Sequence, residues 1–234
     1  MNKILDIIYP RHCPLCGKVL VYQQGNACKE CLQELKRVKP PVCFRCGKHI
    51  DEEETEYCQD CMTIPKRYIR GYPVFEYSGK LKQAIYEYKY KNQRIHTDFF
   101  VDCIYHCYKN EFSSLGIDGI IPIPIHKKRK KIRGYNQAEL LAKQLGKRLH
   151  IPVYPNAVIR VIHTNPQKEL GDKARVKNLK NAFKLGSNTI KLNKVLLVDD
   201  IYTTGATIDA CTKILTDAGV KEVYYTSIAI GKGY

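Results

Sequence analysis

The apolar positions of this chain fall into two regimes. From residue 73 onward, short apolar runs alternate with stretches whose apolar residues recur at helical spacing, the order expected of strands joined by helices in one sheet. Residues 74–77 predict a strand, and Leu81, Ile85 and Tyr88 then fall on one face of a helix. Residues 97–109 predict a second helix. Residues 119–125 form an apolar run with the length of a buried strand, interrupted by Pro122 and Pro124. Leu140, Leu141, Leu145 and Leu149 mark a helix, residues 194–198 a second buried strand, residues 207–218 a helix that stops at Gly219, and residues 222–230 a last strand.

Before residue 62 neither period appears. Residues 62–72 read as a join, punctuated by Pro65 and Gly71 and followed by Pro73, with Lys66, Arg67 and Arg70 between. Two domains are therefore expected, residues 1–65 and residues 66–234, the second an α/β domain with a parallel sheet flanked by helices. A chain of 234 residues suits one full domain and a smaller one.

Cysteines organise the first region. Eight of the 11 stand in four C-x-x-C pairs: Cys13/Cys16, Cys28/Cys31, Cys43/Cys46 and Cys58/Cys61. The spacing repeats, and Gly17 and Gly47 follow the second cysteine of each repeat, so the region is an internal duplication. Two C-x-x-C turns bring four sulfurs around one tetrahedral Zn²⁺ with no open position, which makes a structural site in a zinc-ribbon module. The segments between the pairs are short and polar, so the metal is expected to supply their folding energy. About two Zn²⁺ per chain are expected. Pairing within each repeat is preferred, and an interleaved arrangement, first pair with third and second with fourth, stays open. His12 and His49 border the pairs and read as non-ligands, since four sulfurs complete each site. Cys103, Cys107 and Cys211 read as core or semi-buried residues.

Charge adds a partner class. The formal net charge is +16, with 12 basic against 9 acidic side chains in residues 1–70 and 27 against 14 in the remainder. A basic second domain favours polyanions: nucleic acid, phosphorylated metabolites or an anionic surface. The first ten residues are apolar but interrupted by Asp6, unlike a secretory core, and no stretch approaches the roughly 18–20 apolar residues of a membrane span. A cytoplasmic location with reduced thiols is the expectation.

The candidate chemistry lies at the second buried strand, Val195-Leu196-Leu197-Val198-Asp199-Asp200-Ile201-Tyr202-Thr203-Thr204-Gly205-Ala206-Thr207. In a parallel sheet, ligands sit beyond the carboxyl ends of the strands. Asp199 and Asp200 can accept from ribose hydroxyls or from Mg²⁺-bound water. The amides of Thr203, Thr204, Gly205, Ala206 and Thr207, with the threonine hydroxyls, can cradle a phosphate at a helix N-terminus. Acids for a sugar and amides for its phosphate describe a ribose 5-phosphate site. A second element is the run 127–133, in which Lys127, Lys128, Arg129, Lys131 and Arg133 are candidate anion ligands. It is read as a loop after a central strand, on the same side as the phosphate cradle. The segment Tyr86-Glu87-Tyr88-Lys89-Tyr90-Lys91 interleaves aromatics with lysines, a pattern found in binders of single strands, although on a helix some of these residues must be core.

The thirteen-residue stretch resembles the motif by which type I phosphoribosyltransferases bind phosphoribosyl pyrophosphate (PRPP). More broadly the chain resembles the ComF/GntX family of phosphoribosyltransferase-like proteins, which includes late competence proteins. The likeness rests on the cysteine pairs, on Arg133-Gly134-Tyr135-Asn136-Gln137, on Arg160, Thr164, Gln167, Leu170, Arg175, Asn178 and Phe183, and on the PRPP-like motif. It implies a five-stranded parallel core with a variable hood, Mg²⁺-PRPP as ligand, Asp199 and Asp200 as the acids at the reacting sugar, and a mobile loop around 160–183. It also implies a role in natural transformation on incoming single-stranded DNA, with a helicase-like partner. The alternative is an active phosphoribosyltransferase of nucleotide or base metabolism with no DNA role. Whether catalysis occurs, and on which acceptor, stays open.

Overall fold

Four parallel strands, in the order β1–β6–β5–β2, form the sheet of the computed structural model, which describes residues 10–20, 25–52, 54–162, 181–186 and 191–231. They are β1 (Arg70–Glu76), β2 (Gly119–Pro122), β5 (Lys194–Tyr202) and β6 (Glu222–Ile230). The five-stranded core implied by the resemblance is present as four strands and a single parallel bridge from Ile120 to Val153 beyond β2. Among the described residues two hydrogen bonds hold that bridge, Ile120 N–H to the Pro152 carbonyl and Tyr154 N–H to the Ile120 carbonyl, both 2.9 Å. Pro122 and Pro124 shorten the expected run 119–125, because proline has no N–H for the ladder. The Ile123 N–H still reaches the Val198 carbonyl at 2.9 Å.

Three helices cover one face: α3 (Gly79–Tyr90), α4 (His96–Leu115) and α6 (Gln137–Leu149). Their Leu81, Ile85, Tyr88, Phe100, Ile104, Leu141 and Leu145 pack with Leu196 and Val198 of β5. Helix α4 outruns the predicted 97–109 and stops at Gly116, which adopts the left-handed conformation with φ 65°. On the other face α7 (Ala206–Asp217) packs Ile208, Cys211 and Leu215 against Val195 and Leu197. A two-stranded antiparallel hood, β3 (Val158–Arg160) with β4 (Phe183–Leu185), lies against α7. His163, Thr164, Gln167, Leu170, Arg175 and Asn178 lie outside the described residues.

Two expectations are corrected. First, the join is shorter than 62–72, because β1 already begins at Arg70. Gly71 and Pro73 belong to the strand: the Tyr225 ring lies where a Gly71 side chain would stand, and both residues stand in register with β6, Gly71 opposite Tyr225 and Pro73 opposite Ser227. Second, the basic run 127–133 is a helix, α5 (Lys127–Arg133), not a loop. His126 Nδ1 accepts the Lys128 N–H, Gly134 closes the helix with φ 79°, and Lys130, Lys131 and Arg133 stand in its last turn, where cations suit the helix dipole. It also follows β2, an outer strand of the four, rather than a central one.

The cysteine modules do not stand apart from this core. Each begins with a knuckle closed by an antiparallel bridge, His12 to Val19 and Val42 to His49. The second pair of each then caps a one-turn helix, α1 (Lys29–Gln33) after Cys28 and α2 (Gln59–Thr63) after Cys58. Leu15, Leu20, Ala27 and Leu35 join the cluster of α3 and α4, while Ile50 joins the cluster around Tyr68, Tyr202 and Tyr225. The segment between the modules pairs with the open edge of β1: Val38 N–H reaches the Val74 carbonyl at 3.0 Å, and Glu76 N–H reaches the Lys36 carbonyl at 2.8 Å. Apolar burial against the sheet therefore adds to whatever metal contributes. Among the described residues no helix is long and apolar enough to cross a membrane.

The duplicated glycines distinguish the two modules. Gly17 (φ 75°) has open space where a side chain would stand, whereas a Cβ on Gly47 (φ 71°) would lie 2.6 Å from the Gly71 carbonyl oxygen. Gly17→Ala is expected to cost about 1–2 kcal/mol of unfolding free energy, the left-handed strain alone. Gly47→Ala is expected to cost clearly more, because the module must also back off β1. Denaturant titration of both variants measures the difference, and equal losses would show that the docking is not tight.

Candidate functional site

Val195 to Val198 are fully buried, so Asp199 and Asp200 are the first acidic side chains that β5 can offer, at its carboxyl end. The two-residue period of a strand sends them to opposite faces. Asp200 is 8% exposed, and its Oδ1 lies 2.8 Å from Lys89 Nζ of α3. Asp199 is half-buried and senses Arg160 of β3. Its Oδ1 accepts the Asp200 backbone N–H at 2.8 Å. Burial, and then the Asp200 charge, push the Asp199 carboxyl up to about 7, against the pull of Lys89 and Arg160. Burial also raises the Cys211 thiol, and the Asp199 charge adds to the effect.

Beyond Tyr202 the chain turns through Thr203 and Thr204 into α7. Gly205 caps the helix at φ 74°, and the Tyr202 ring fills the place of its missing side chain. Thr203 is exposed, and Thr204, Ala206 and Thr207 are half-buried. Thr204 Oγ1 accepts the Ala206 N–H at 3.4 Å, and the Thr204 carbonyl accepts from Lys66 Nζ at 2.8 Å. The five residues of the expected cradle are thus together at the positive end of a twelve-residue helix.

Helix α5 turns part of its charge inward. Arg129 and Arg133, one turn apart, are half-buried, while Lys127, Lys128 and Lys131 are exposed. Arg133 donates to Gln137 Oε1 at 3.0 Å and to the Tyr90 hydroxyl at 2.9 Å, and its guanidinium lies 4.6 Å from the Tyr90 ring centre. Its Nε is buried without a hydrogen-bond partner among the described residues. Burial and then the neighbouring Arg133 hold Arg129 below the ordinary arginine value; burial and then Arg129 do the same to Arg160. Three half-buried arginines in this neighbourhood give it a positive potential that suits an anion. Lys130 instead pairs with Glu139 at 2.9 Å.

Sequence reasoning missed Lys89 as the partner of Asp200 and Lys66 as the support of the loop. Neither has a local signal, since each meets its partner across more than a hundred residues. The segment 86–91 divides as a helix must. Tyr88 is buried core, Lys89 turns to Asp200, Lys91 pairs with Glu87, and Tyr86 and Tyr90 remain 51% and 56% exposed with ring centres 5.0 Å apart.

Both cysteine groups assemble within their own repeats, Cys13/Cys16/Cys28/Cys31 and Cys43/Cys46/Cys58/Cys61, with all four sulfurs of each group within 4.8 Å of one another. This excludes the interleaved arrangement. Cys16 and Cys28 sulfurs are 3.7 Å apart and Cys46 and Cys58 sulfurs 3.6 Å, close to the ~3.8 Å edge of a tetrahedron with Zn–S bonds of about 2.3 Å. The Cys28 N–H points at Cys13 Sγ and the Cys46 N–H at Cys43 Sγ, both 3.5 Å, as thiolate ligands require. The donor sets fit two structural zinc ions. His49 Nδ1 faces the Lys39 carbonyl at 2.8 Å, and neither His12 nor His49 belongs to a cluster. Cys103 and Cys211 are buried and Cys107 is half-buried, as expected.

The acid pair implies a pH effect. Unfolded, Asp199 titrates near the ordinary value of about 3.9; folded, it titrates near 7. The folded chain therefore holds a proton that the unfolded chain releases between those values. The associated stability is complete below the unfolded value and is lost as pH rises through about 7. Asp199→Asn, which cannot ionise, is expected to melt at a higher temperature than wild type at about pH 8 and close to it at about pH 4. Parallel melting curves at both pH values would refute the buried acid.

A protein-family model described as a double zinc ribbon domain matches residues 4–62. Competence protein F of Haemophilus influenzae is 45% identical over 114 residues, 48% of this chain and 50% of that protein. DNA utilization protein YhgH of Escherichia coli is 35% identical over 106 residues, 45% of this chain and 46% of that protein. Competence protein ComFC of Bacillus subtilis is 28% identical over 154 residues, 62% of this chain and 58% of that protein. The chain spans about half the length of the curated relatives it matches. Among solved structures, an adenine phosphoribosyltransferase shows a loose likeness: 16% identity, 61% of this chain, 73% of that chain and a TM-score of 0.39. With its two four-cysteine clusters the chain carries an N-terminal double zinc ribbon, and over about half of its length it is similar to proteins of the competence type.

Proposed function

We propose that the chain binds PRPP with Mg²⁺ at residues 199–207 and that this site serves the handling of incoming single-stranded DNA during natural competence. The observation that carries the proposal is the meeting of three kinds of group at one edge of the sheet. Asp199 and Asp200 offer acceptors for ribose hydroxyls or Mg²⁺-bound water. The loop from Thr203 to Thr207 offers amides and hydroxyls for the 5-phosphate. Arg129, Arg133 and Arg160 supply positive charge for the pyrophosphate, with Lys127, Lys128 and Lys131 outside them. The names of the two competence relatives supply the setting of competence; the cytoplasmic location and a helicase-like partner acting on the same strand belong to the proposal.

The DNA part draws on the surface next to this site. Tyr86 and Tyr90 form an exposed ring pair, Arg133 lies against Tyr90, and Ile132 on α5 is 84% exposed. Rings that take bases beside lysines that take phosphates suit a single strand bound without strong sequence preference. The second reading, an active transferase of base metabolism, has one observation in its favour. An Asp199 carboxyl near 7 can exchange a proton at neutral pH, as a group at a reacting centre needs. The basic groups would then stabilise the departing pyrophosphate. Release of pyrophosphate from PRPP with a panel of bases decides between them.

Asp200→Ala and Thr204→Ala are each expected to weaken PRPP about tenfold or more in calorimetry, since charge-assisted hydrogen bonds contribute roughly 1.5–3 kcal/mol. Unchanged affinity in both variants would remove the site. Single-stranded DNA is expected to bind with log affinity falling by about 0.7 per log unit of salt for each phosphate contact. Neutralising Lys127, Lys128 and Lys131 together should flatten that slope, and Asp200→Ala should not. A wild-type chain with no salt-dependent DNA binding at low ionic strength leaves the transferase reading alone.

A further inference from the structure

The two zinc ribbons are copies in sequence, but they meet different parts of the molecule. The first packs on α4, through the Asn26–Asp102 hydrogen bond and Arg37 against Cys107. The second reaches the loop at 203–207 by two routes. One runs through buried rings. The Tyr225 hydroxyl donates to the carbonyl of Cys46 at 2.8 Å. The Tyr225 ring stacks on Tyr202, with centres 4.9 Å apart and planes 8° from parallel, and the Tyr202 hydroxyl lies 2.7 Å from that of Tyr68. The Tyr202 ring in turn fills the space beside Gly205, the residue that caps α7.

The other route runs through the chain that leaves the ribbon. Arg45, between Cys43 and Cys46, donates to the carbonyls of Lys66 at 3.1 Å and Tyr68 at 2.8 Å. Lys66 Nζ then donates to the Thr204 carbonyl at 2.8 Å. The Arg67 N–H and guanidinium both reach Asp209 in the first turn of α7, each at 2.6 Å. The first repeat has Leu15, a buried apolar residue, where the second has Arg45, and so lacks the corresponding clamp.

We infer that the second zinc ribbon is the anchor of the phosphate-binding loop, with Lys66, Arg45, Tyr202 and Tyr225 as positioning residues that hold residues 203–207 in the shape a phosphate needs. This rests on the proposal that the loop takes the 5-phosphate of PRPP. A loop that offers its amides to an anion must have its carbonyls turned away and held. Lys66 holds the Thr204 carbonyl, and the tyrosine stack supports the turn from below. Loss of metal from the second cluster frees Cys46 and Arg45 together and so loosens both routes. Loss of metal from the first cluster loosens neither directly.

Two readouts on the full chain test this: calorimetry with PRPP and Mg²⁺, and hydrogen exchange of the amides at 203–207, each beside zinc content and melting temperature. Lys66→Met is expected to keep two zinc ions per chain, to weaken PRPP about tenfold and to speed exchange of the loop amides, with Lys66→Arg restoring both. Cys61→Ser is expected to lose one zinc ion and to speed loop exchange at least tenfold more than Cys31→Ser, which also loses one. Equal effects of the two cysteine variants, or unchanged loop exchange in Lys66→Met, would overturn the anchor. Failure of the wild type to bind PRPP would sink the ligand assignment only, because the exchange measurement needs no ligand and still decides whether the ribbon holds the loop.

Discussion

A strand hydrogen-bonded on both edges and covered on both faces can carry polar side chains only where it leaves the core. Strand β5 is such a strand. It pairs with β2 and β6, and Val195 to Val198 are closed from solvent. Its acids therefore stand at its carboxyl end, and the same ladder aims the loop and α7 at the site. The strand's alternation also divides the labour of the two acids. Asp200 meets the lysine of α3, while Asp199 meets the arginine of the hood. A ligand that engages both must reach across the end of the strand, as a ribose with vicinal hydroxyls does.

Charge at this edge is held at a cost. Asp199 is kept partly protonated by burial and by its neighbour, and Arg129 and Arg160 are kept under mutual repulsion. Cores avoid such groups unless something compensates them. Both signs of charge thus meet at the same end of the sheet, the acids on β5 and the arginines on α5 and β3.

The zinc ribbons show how a duplicated sequence takes on different work. The knuckles, one-turn helices and cysteine geometry repeat. What differs is a few residues that face the second domain, such as Leu15 against Arg45 and the free space at Gly17 against the crowding at Gly47. Docking contacts, not the metal site, separate the copies, and the linker between them closes the open edge of β1, which would otherwise expose unpaired backbone groups.

By itself the sequence determined the local chemistry: four cysteine pairs at ligand spacing, an apolar strand ending in Asp199 and Asp200, a glycine at the start of α7, and the helical period of the covering helices. These depend on neighbours a few residues apart. The tertiary structure decided the rest. It paired Lys89 with Asp200 and Lys66 with Thr204, contacts between segments far apart in the chain. It made β1 start at Arg70, because a partner strand outweighed the turn signals of Gly71 and Pro73. Residues 127–133 are a helix for local reasons that their run of basic side chains masked, since His126 and Gly134 cap it and Glu139 of α6 pairs with Lys130. The tertiary structure also merged the zinc modules with the core, since their few apolar side chains gain burial only against a surface that the rest of the chain builds.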